Sequence, residues 1–276
     1  MRAADLLGPA IRRLTEAGVA EPAGDARRLL AHALGLAPGR LTLALPEPVS
    51  PDSAAAYDAC ITRRAAREPV SHITGERLFY GRRFAVSADV LDPRPETEML
   101  IEAALAQPFE TLLDLGTGTG CILLTLLAEM PGARGLGIDI SPAALANAAA
   151  NAAELNLSIK AEFAAGDWFD GLTRQFDLIT ANPPYLAAAE MAGLAPEVRE
   201  FEPHLALTDF GDGLGAYRAI TAGAPEHLMP GGRLLMEIGP GQGHEVMSLA
   251  YAAGFPHVSI IRDLDGRDRV VMAEIG

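Results

Sequence analysis

Thr111-Leu112-Leu113-Asp114-Leu115-Gly116-Thr117-Gly118-Thr119-Gly120 runs without a break into the apolar stretch CILLTLLAEM at 121–130. The pattern predicts a short buried strand, a glycine turn and a helix. In a doubly wound α/β fold, this turn is where backbone comes close to a bound nucleotide or nucleoside. Glycines at alternate positions keep Cβ atoms out of that approach. Two common versions of such a loop do not fit. The dinucleotide fingerprint asks for glycine at its sixth position, where Cys121 stands, and the Gly-Lys-Ser/Thr of the phosphate-binding loop is missing. A loop that need not neutralise phosphate suits a nucleoside bearing a cationic sulfonium. Gly116, Thr117, Gly118, Thr119 and Gly120 are therefore assigned to S-adenosyl-L-methionine.

Downstream, strand patterns recur at 135–139, 159–163, 176–181, 233–238, 257–261 and 269–274, with helical stretches between the early ones. Ser141-Pro142 reads as a cap and first helical residue. The expected fold class is α/β, with a seven-stranded, mostly parallel sheet covered by helices on both faces. Periodicity does not give the strand order. Asp139 closes the second strand, 19 residues after Gly120. An acid there can accept from both ribose hydroxyls. Taken alone it would read as an exposed loop residue, and the preceding glycine loop favours the ribose role. Trp168, the sole tryptophan, follows the third strand where an adenine edge would lie. Core packing competes with that role, and the adenine wall is preferred.

The fourth strand ends in Asn182-Pro183-Pro184-Tyr185. Such a tetrapeptide is also a common rigid turn, so its position decides the reading. It lies at the carboxyl end of a strand, in a sheet whose first loop receives a nucleoside. An amide nitrogen is a weak nucleophile, because its lone pair is delocalised into the carbonyl. The Asn182 side-chain oxygen and the Pro183 carbonyl can accept its two N–H hydrogens and aim it at a methyl group. Consecutive prolines stiffen the loop, and Tyr185 offers an aromatic face. Asn182, Pro183 and Tyr185 are the candidate catalytic residues. With Pro184 they form the candidate substrate loop, and the acceptor is expected to be a planar nitrogen.

Upstream, Leu6, Leu7, Ala10, Ile11 and Leu14 have helical spacing, as do Ala26, Leu29, Leu30, Ala33 and Leu34. A further helix is expected after Ser50, and Pro38, Pro46 and Pro48 punctuate the gap before it. Residues 1–74 read as a small helical domain, 75–92 as a β-hairpin linker and 93–276 as the α/β domain. Glu96 and Glu98 suit the start of a helix, and capping alone would account for both.

The charge is uneven. Residues 1–80 carry 10 Arg against 9 Asp or Glu, which leaves 12 basic and 27 acidic residues for the remainder. Lys160 is the only lysine. Nucleic-acid binding relies on clustered Lys and Arg, so no direct nucleic-acid partner is expected. No apolar run approaches the ~18 residues of a membrane span. The first residues read as an amphipathic helix rather than a signal peptide. Cys60 and Cys121 make no disulfide framework, and the histidines are scattered. A cytoplasmic chain with no metal site is expected.

FYGRRFAVSADVLDPRPETE (79–98), DLGTGTG (114–120), GDWF (166–169), NPPY (182–185), EVREFEP (197–203), MEIGPGQG (236–243) and RDLDGRDRV (262–270) span nearly the whole chain. Together they resemble the bacterial peptide chain release factor glutamine N5-methyltransferases (the PrmC/HemK family). The glycine loop is common to many methyltransferases, whereas PRPETE joined to NPPY and the tail is specific. The resemblance implies a class I, Rossmann-like methyltransferase domain behind a helical substrate-recognition domain. It implies methyl transfer to the glutamine of the Gly-Gly-Gln loop in release factors; separately, a monomer with no membrane partner is expected. It matches Gly116 to Gly120, Asp139, Trp168 and Asn182 to S-adenosyl-L-methionine contacts, and Asn182 to Tyr185 to the glutamine loop. Asp92 departs from the family pattern, which more often has an apolar residue there.

Overall fold

The computed structural model describes residues 1–37 and 39–276; Pro38, read above as punctuation, lies outside the described residues. The chain divides into two compact units, Met1–Glu76 with Ala195–Phe201, and Arg77–Leu194 with Glu202–Gly276.

The first unit is helical: α1 (Ala3–Glu16), α2 (Pro22–Ala33), α3 (Leu41–Ala44), α4 (Pro51–Ala65), α5 (Val70–Thr74) and, from the later segment, α9 (Pro196–Phe201). Ser50 caps α4 by accepting from the Ser53 amide at 3.1 Å, with Pro51 in the first turn. The apolar stripes of α1, α2 and α4 meet in a core that holds Leu14, Leu29, Leu30, Tyr57 and Ile61. A buried ionic chain crosses it. Arg64 donates to Asp25 at 2.7 Å and to Glu197 at 3.0 Å, and Arg67 donates to Glu197 at 2.6 and 2.8 Å. This chain fastens α9 to the helical unit, a membership invisible to local patterning because the paired residues lie 130 and 133 positions apart.

The second unit begins within the first strand of a hairpin, β1 (Glu76–Phe79) and β2 (Arg82–Ala85). Its two turn residues, Tyr80 and Gly81, have φ of 45° and 73°, as a tight hairpin turn requires. The Tyr80 amide donates to Glu98 at 3.0 Å and its hydroxyl to Glu102 at 2.6 Å. Glu98 and Glu102 lie on α6 (Glu98–Leu105), so Glu98 secures the hairpin as well as beginning a helix.

Among the described residues, β3 (Thr111–Leu115), β4 (Arg134–Asp139), β5 (Ala161–Ala165), β6 (Phe176–Ala181), β7 (Leu228–Glu237), β8 (His257–Arg262) and β9 (Asp268–Glu274) form one sheet. Their order is β5-β4-β3-β6-β7-β9-β8. The pairs are parallel except β7 with β9 and β8 with β9. Alternation along β3 sends Leu112 into one core and Leu113 and Leu115 into the other. Layers of α7 (Cys121–Glu129), α8 (Pro142–Glu154), α10 (Gly215–His227) and α11 (Gly243–Ala252) complete the unit. The third strand starts two residues later than its pattern suggests, because Leu157–Lys160 close a turn that leaves Ile159 86 % exposed. The order reverses beside β3, and the carboxyl ends of β3 and β6 open a crevice there, the usual ligand position in this architecture.

Candidate active site

A cleft of about 500 Å³ lies at that crevice, with Gly116, Thr117, Gly118, Thr119, Asp139, Trp168, Asn182 and Pro184 in its wall. The glycine turn is tied down by its own backbone. The Gly116 and Thr117 amides donate to the Ile138 carbonyl at 2.8 and 3.0 Å. Asp139 accepts from the Gly118 amide at 2.9 Å through Oδ2 and from the Ser141 amide at 2.9 Å through Oδ1. Each oxygen keeps lone-pair capacity for a further donor, so Asp139 both braces the loop and can take ribose hydroxyls.

Beneath the loop, Asp114 is buried and accepts from the Thr117 and Thr180 hydroxyls at 2.7 and 2.8 Å. Burial pushes its carboxyl up to about 6 against those two hydrogen bonds. Asn151 of α8 reaches the same loop, donating to the Thr119 carbonyl at 2.9 Å and exchanging bonds with Ala85. Gly120 is not among the cleft-lining residues. A Cβ there would stand 3.0 Å from Leu124 and 3.3 Å from Ala148, so this glycine serves helix packing.

The wall's chemistry can be matched to a ligand. Its acids include Asp89, Asp92, Asp139, Asp167 and Asp209, and among the described lining residues Arg94 is the only base. Arg94 is occupied by the buried Glu202, at 2.6 and 2.7 Å. An acidic wall with no free cation suits a sulfonium nucleoside and does not suit a pyrophosphate. Trp168 is half-buried: it lines the cleft and also packs on the core beneath, so core packing does not remove it from the cleft.

The Asn182–Tyr185 loop is held from behind. Gln242 donates to the Tyr185 carbonyl at 2.9 Å and to the Gly213 carbonyl at 3.3 Å, and accepts from the Gly239 amide at 3.1 Å. Asn182 and Pro184 line the cleft; Pro183 is buried, and the Tyr185 ring packs against the core. Burial raises the Tyr185 phenol above its ordinary value. The Asn182 Nδ2 donates to the Thr97 hydroxyl at 3.3 Å. Next to them, burial pushes Glu237 up to about 7, opposed by hydrogen bonds from Thr97 and Asn182 and by Arg269, and reinforced by Glu96. Thr97, Asn151, Glu237 and Gln242 are the supporting residues that sequence reasoning missed. The signals were an asparagine inside an alanine-rich helix and an acid in an otherwise apolar strand.

Residues 83–197 match the family described as methyltransferase small domain, and residues 5–75 match the PrmC N-terminal domain. The release factor glutamine methyltransferase of Cereibacter sphaeroides is 62% identical over 275 residues, which is 100% of this chain and 99% of that protein. The chain belongs to the release factor glutamine methyltransferase family. The Rhodospirillum rubrum relative of the same name is 48% identical over 95% of this chain and 81% of its own length. A methyltransferase from Pyrococcus furiosus shares the fold at TM-score 0.54 and 14% identity, over 79% of this chain and 98% of that one. Membership makes the chain an S-adenosylmethionine-dependent methyltransferase, in accord with the acidic wall and the glycine loop. No described helix is long and apolar enough to cross a membrane.

Proposed function

We propose that the protein methylates the side-chain amide nitrogen of the glutamine in the Gly-Gly-Gln loop of peptide chain release factors, with Asn182 and the Pro183 carbonyl as the acceptors that hold that amide. One observation carries the site assignment. Asn182 and Pro184 open on the cleft that also contains the glycine loop and Asp139, so donor and acceptor share one wall. Bound S-adenosylmethionine supplies an electrophilic methyl group on sulfur. The chain's own task is to place the nitrogen. Two acceptors engage both hydrogens of the amide, turn its lone pair toward the methyl and favour positive charge as it builds. Alignment of this kind contributes roughly 7–11 kcal/mol at best, and preorganised dipoles add several more. Gly116–Thr119, Asp139 and Trp168 are the proposed cofactor wall. Tyr185 anchors the substrate loop through its core packing and its carbonyl bond to Gln242.

Asn182→Ala should lower kcat by about 10²–10³-fold, as for removal of one preorganised polar contact, assayed on intact release factor with the modified peptide located by mass spectrometry. A wild-type kcat would reject the assignment of Asn182. The same reading gives the helical unit the release-factor body as its partner, in a monomeric cytoplasmic enzyme. Deleting residues 1–74, with folding checked by circular dichroism, should depress activity on whole release factor far more than on a Gly-Gly-Gln peptide. Equal effects on both substrates would remove that role.

A further inference from the structure

The register pairs Ala181 of β6 with Met236 of β7, so Asn182 and Glu237 follow side by side at the carboxyl end of the sheet. Asn182 lines the cleft, whereas Glu237 is buried and is not among the lining residues. Between them stands Thr97, 2% exposed, whose Oγ1 accepts from Asn182 Nδ2 at 3.3 Å. Thr97 and Asn182 are close enough to the Glu237 carboxyl that hydrogen bonding from them draws its pKa down against the burial that raises it. Glu237 Oε2 is buried with no partner. Its other neighbours are charged or polar groups on several elements. Arg269 is bound to Asp263 at 2.8 Å, the Tyr217 hydroxyl donates to the Glu237 carbonyl at 3.0 Å, and Glu96, Tyr185 and Cys121 complete the surroundings.

We propose that Glu237 and Thr97 are positioning residues that select one flip of the Asn182 amide, so that its Oδ1 faces the substrate nitrogen. The inference rests on the reading of Asn182 as an acceptor for the glutamine amide. A primary amide has nearly the same shape after a half-turn of its end group, which exchanges an acceptor for two donors. Shape therefore cannot set the orientation, and chemistry must. Above about pH 7, where Glu237 is ionised, its carboxylate only accepts, and a threonine hydroxyl that turns its hydrogen to that carboxylate offers its lone pairs to everything else. Asn182 thus meets an acceptor-only wall. Its NH₂ turns inward to Thr97 and Glu237, and its oxygen is left for the cleft. The opposite flip would set amide oxygen against buried oxygen and leave acceptors unpaired, which is costly away from water.

The test compares Glu237→Gln, Thr97→Val, Thr97→Ser and Asn182→Ala, with the double variant of Glu237→Gln and Asn182→Ala. Glutamine at 237 keeps the size but can donate as readily as accept. Glu237→Gln and Thr97→Val should each lower kcat about 10–100-fold, the loss typical of residues that orient a functional ligand. The KM for release factor and the calorimetric affinity for S-adenosylmethionine should hold, and Thr97→Ser should restore kcat. The double variant should be no slower than Asn182→Ala. Glu237→Gln at wild-type kcat beside a slow Asn182→Ala overturns the positioning role and leaves the Asn182 reading intact. Asn182→Ala at wild-type kcat removes both. Additive losses in the double variant, or Thr97→Ser as slow as Thr97→Val, also overturn it. Should Glu237→Gln fail to fold, the threonine pair carries the same comparison.

Discussion

Replacing Asn151 with alanine should loosen the cofactor loop without touching the chemistry. The side chain is 1% exposed and lies on the face of α8 turned toward the glycine turn. Its Oδ1 accepts from the Ala85 amide at 2.7 Å, and its Nδ2 donates to the Ala85 carbonyl at 3.1 Å and the Thr119 carbonyl at 2.9 Å. One residue therefore ties hairpin strand β2 and the cofactor loop to a single helix. Alanine removes all of these bonds. At about 1 kcal/mol net apiece, the loss is about 3 kcal/mol, which lowers Tm by roughly 6–12 °C in a domain of this size. Thr119 is itself buried, so its carbonyl has poor access to replacement water. Freeing that anchor should weaken S-adenosylmethionine binding about fivefold, the equivalent of about 1 kcal/mol. The turnover at saturating cofactor should stay near wild type, because the Asn182–Tyr185 loop is fastened separately by Gln242. Scanning calorimetry and titration calorimetry read the two effects. An Asn151→Ala protein with wild-type Tm and cofactor affinity, or one that loses kcat instead of affinity, would refute the anchor.

Two further outcomes follow from the buried acids. Glu202 is pushed up to about 7 by burial, opposed by Arg94 and reinforced by the charge of Asp92, so Asp92→Asn should lower the Glu202 pKa; an unchanged carbon NMR titration would contradict this. Asp114, Glu202 and Glu237 stand at about 6, 7 and 7 in the fold, above the ordinary carboxylate range of roughly 4. Raised acids stabilise most below their unfolded pKa, and that stability is lost as pH rises through the folded value; Tm should therefore fall between about pH 5 and 8, and a Tm that climbs over that interval would contradict the burial.

The fold was legible where local periodicity is the cause of structure. Thr111–Leu115 and Phe176–Ala181 are strands at the residues their patterns indicate, because buried strands in a parallel sheet need unbroken apolar runs. The reading slipped where another force dominated. Ile159 and Lys160 look like strand residues, yet the Lys160 and Ala161 amides both donate to the Leu157 carbonyl, closing a turn there. Glu98 suits a helix start, and its hydrogen bond to the Tyr80 amide arises only when the hairpin folds back. The α9 segment joins the helical unit through Arg64 and Arg67, a pairing no local window can contain. Gly116–Thr119, Asp139 and Asn182 were placed in the cleft by their position relative to a strand end, and they line it. Gly120 and the Tyr185 ring belong to the same motifs but do not appear in the cleft wall, since motif membership does not separate a lining residue from one that holds the lining in place.

The two buried acids behind the cleft show why strand order had to be known before their roles could be distinguished. Asp114 and Glu237 both sit near the carboxyl ends of sheet strands, and both are nearly inaccessible. In sequence they look alike, each a single acid in an apolar strand. Strand pairing separates them. β3 lies beside β6, which sets Thr180 next to Asp114, and with Thr117 both carboxyl oxygens gain a hydroxyl donor. An acid so satisfied is a clasp for the glycine turn, and its burial is offset locally. Glu237 gains Asn182 through the β6–β7 pairing and Thr97 from the turn before α6, but keeps one oxygen buried and unpartnered. Leaving such a group unpaired costs stability, and glutamine or leucine at 237 would remove the charge. Glu237→Gln should accordingly hold or raise Tm at pH 8 while turnover drops, whereas Asp114→Asn, which disturbs a satisfied pair of hydroxyl bonds, should lower Tm. Opposite signs of the two Tm changes would separate an acid retained for orientation from one retained for structure.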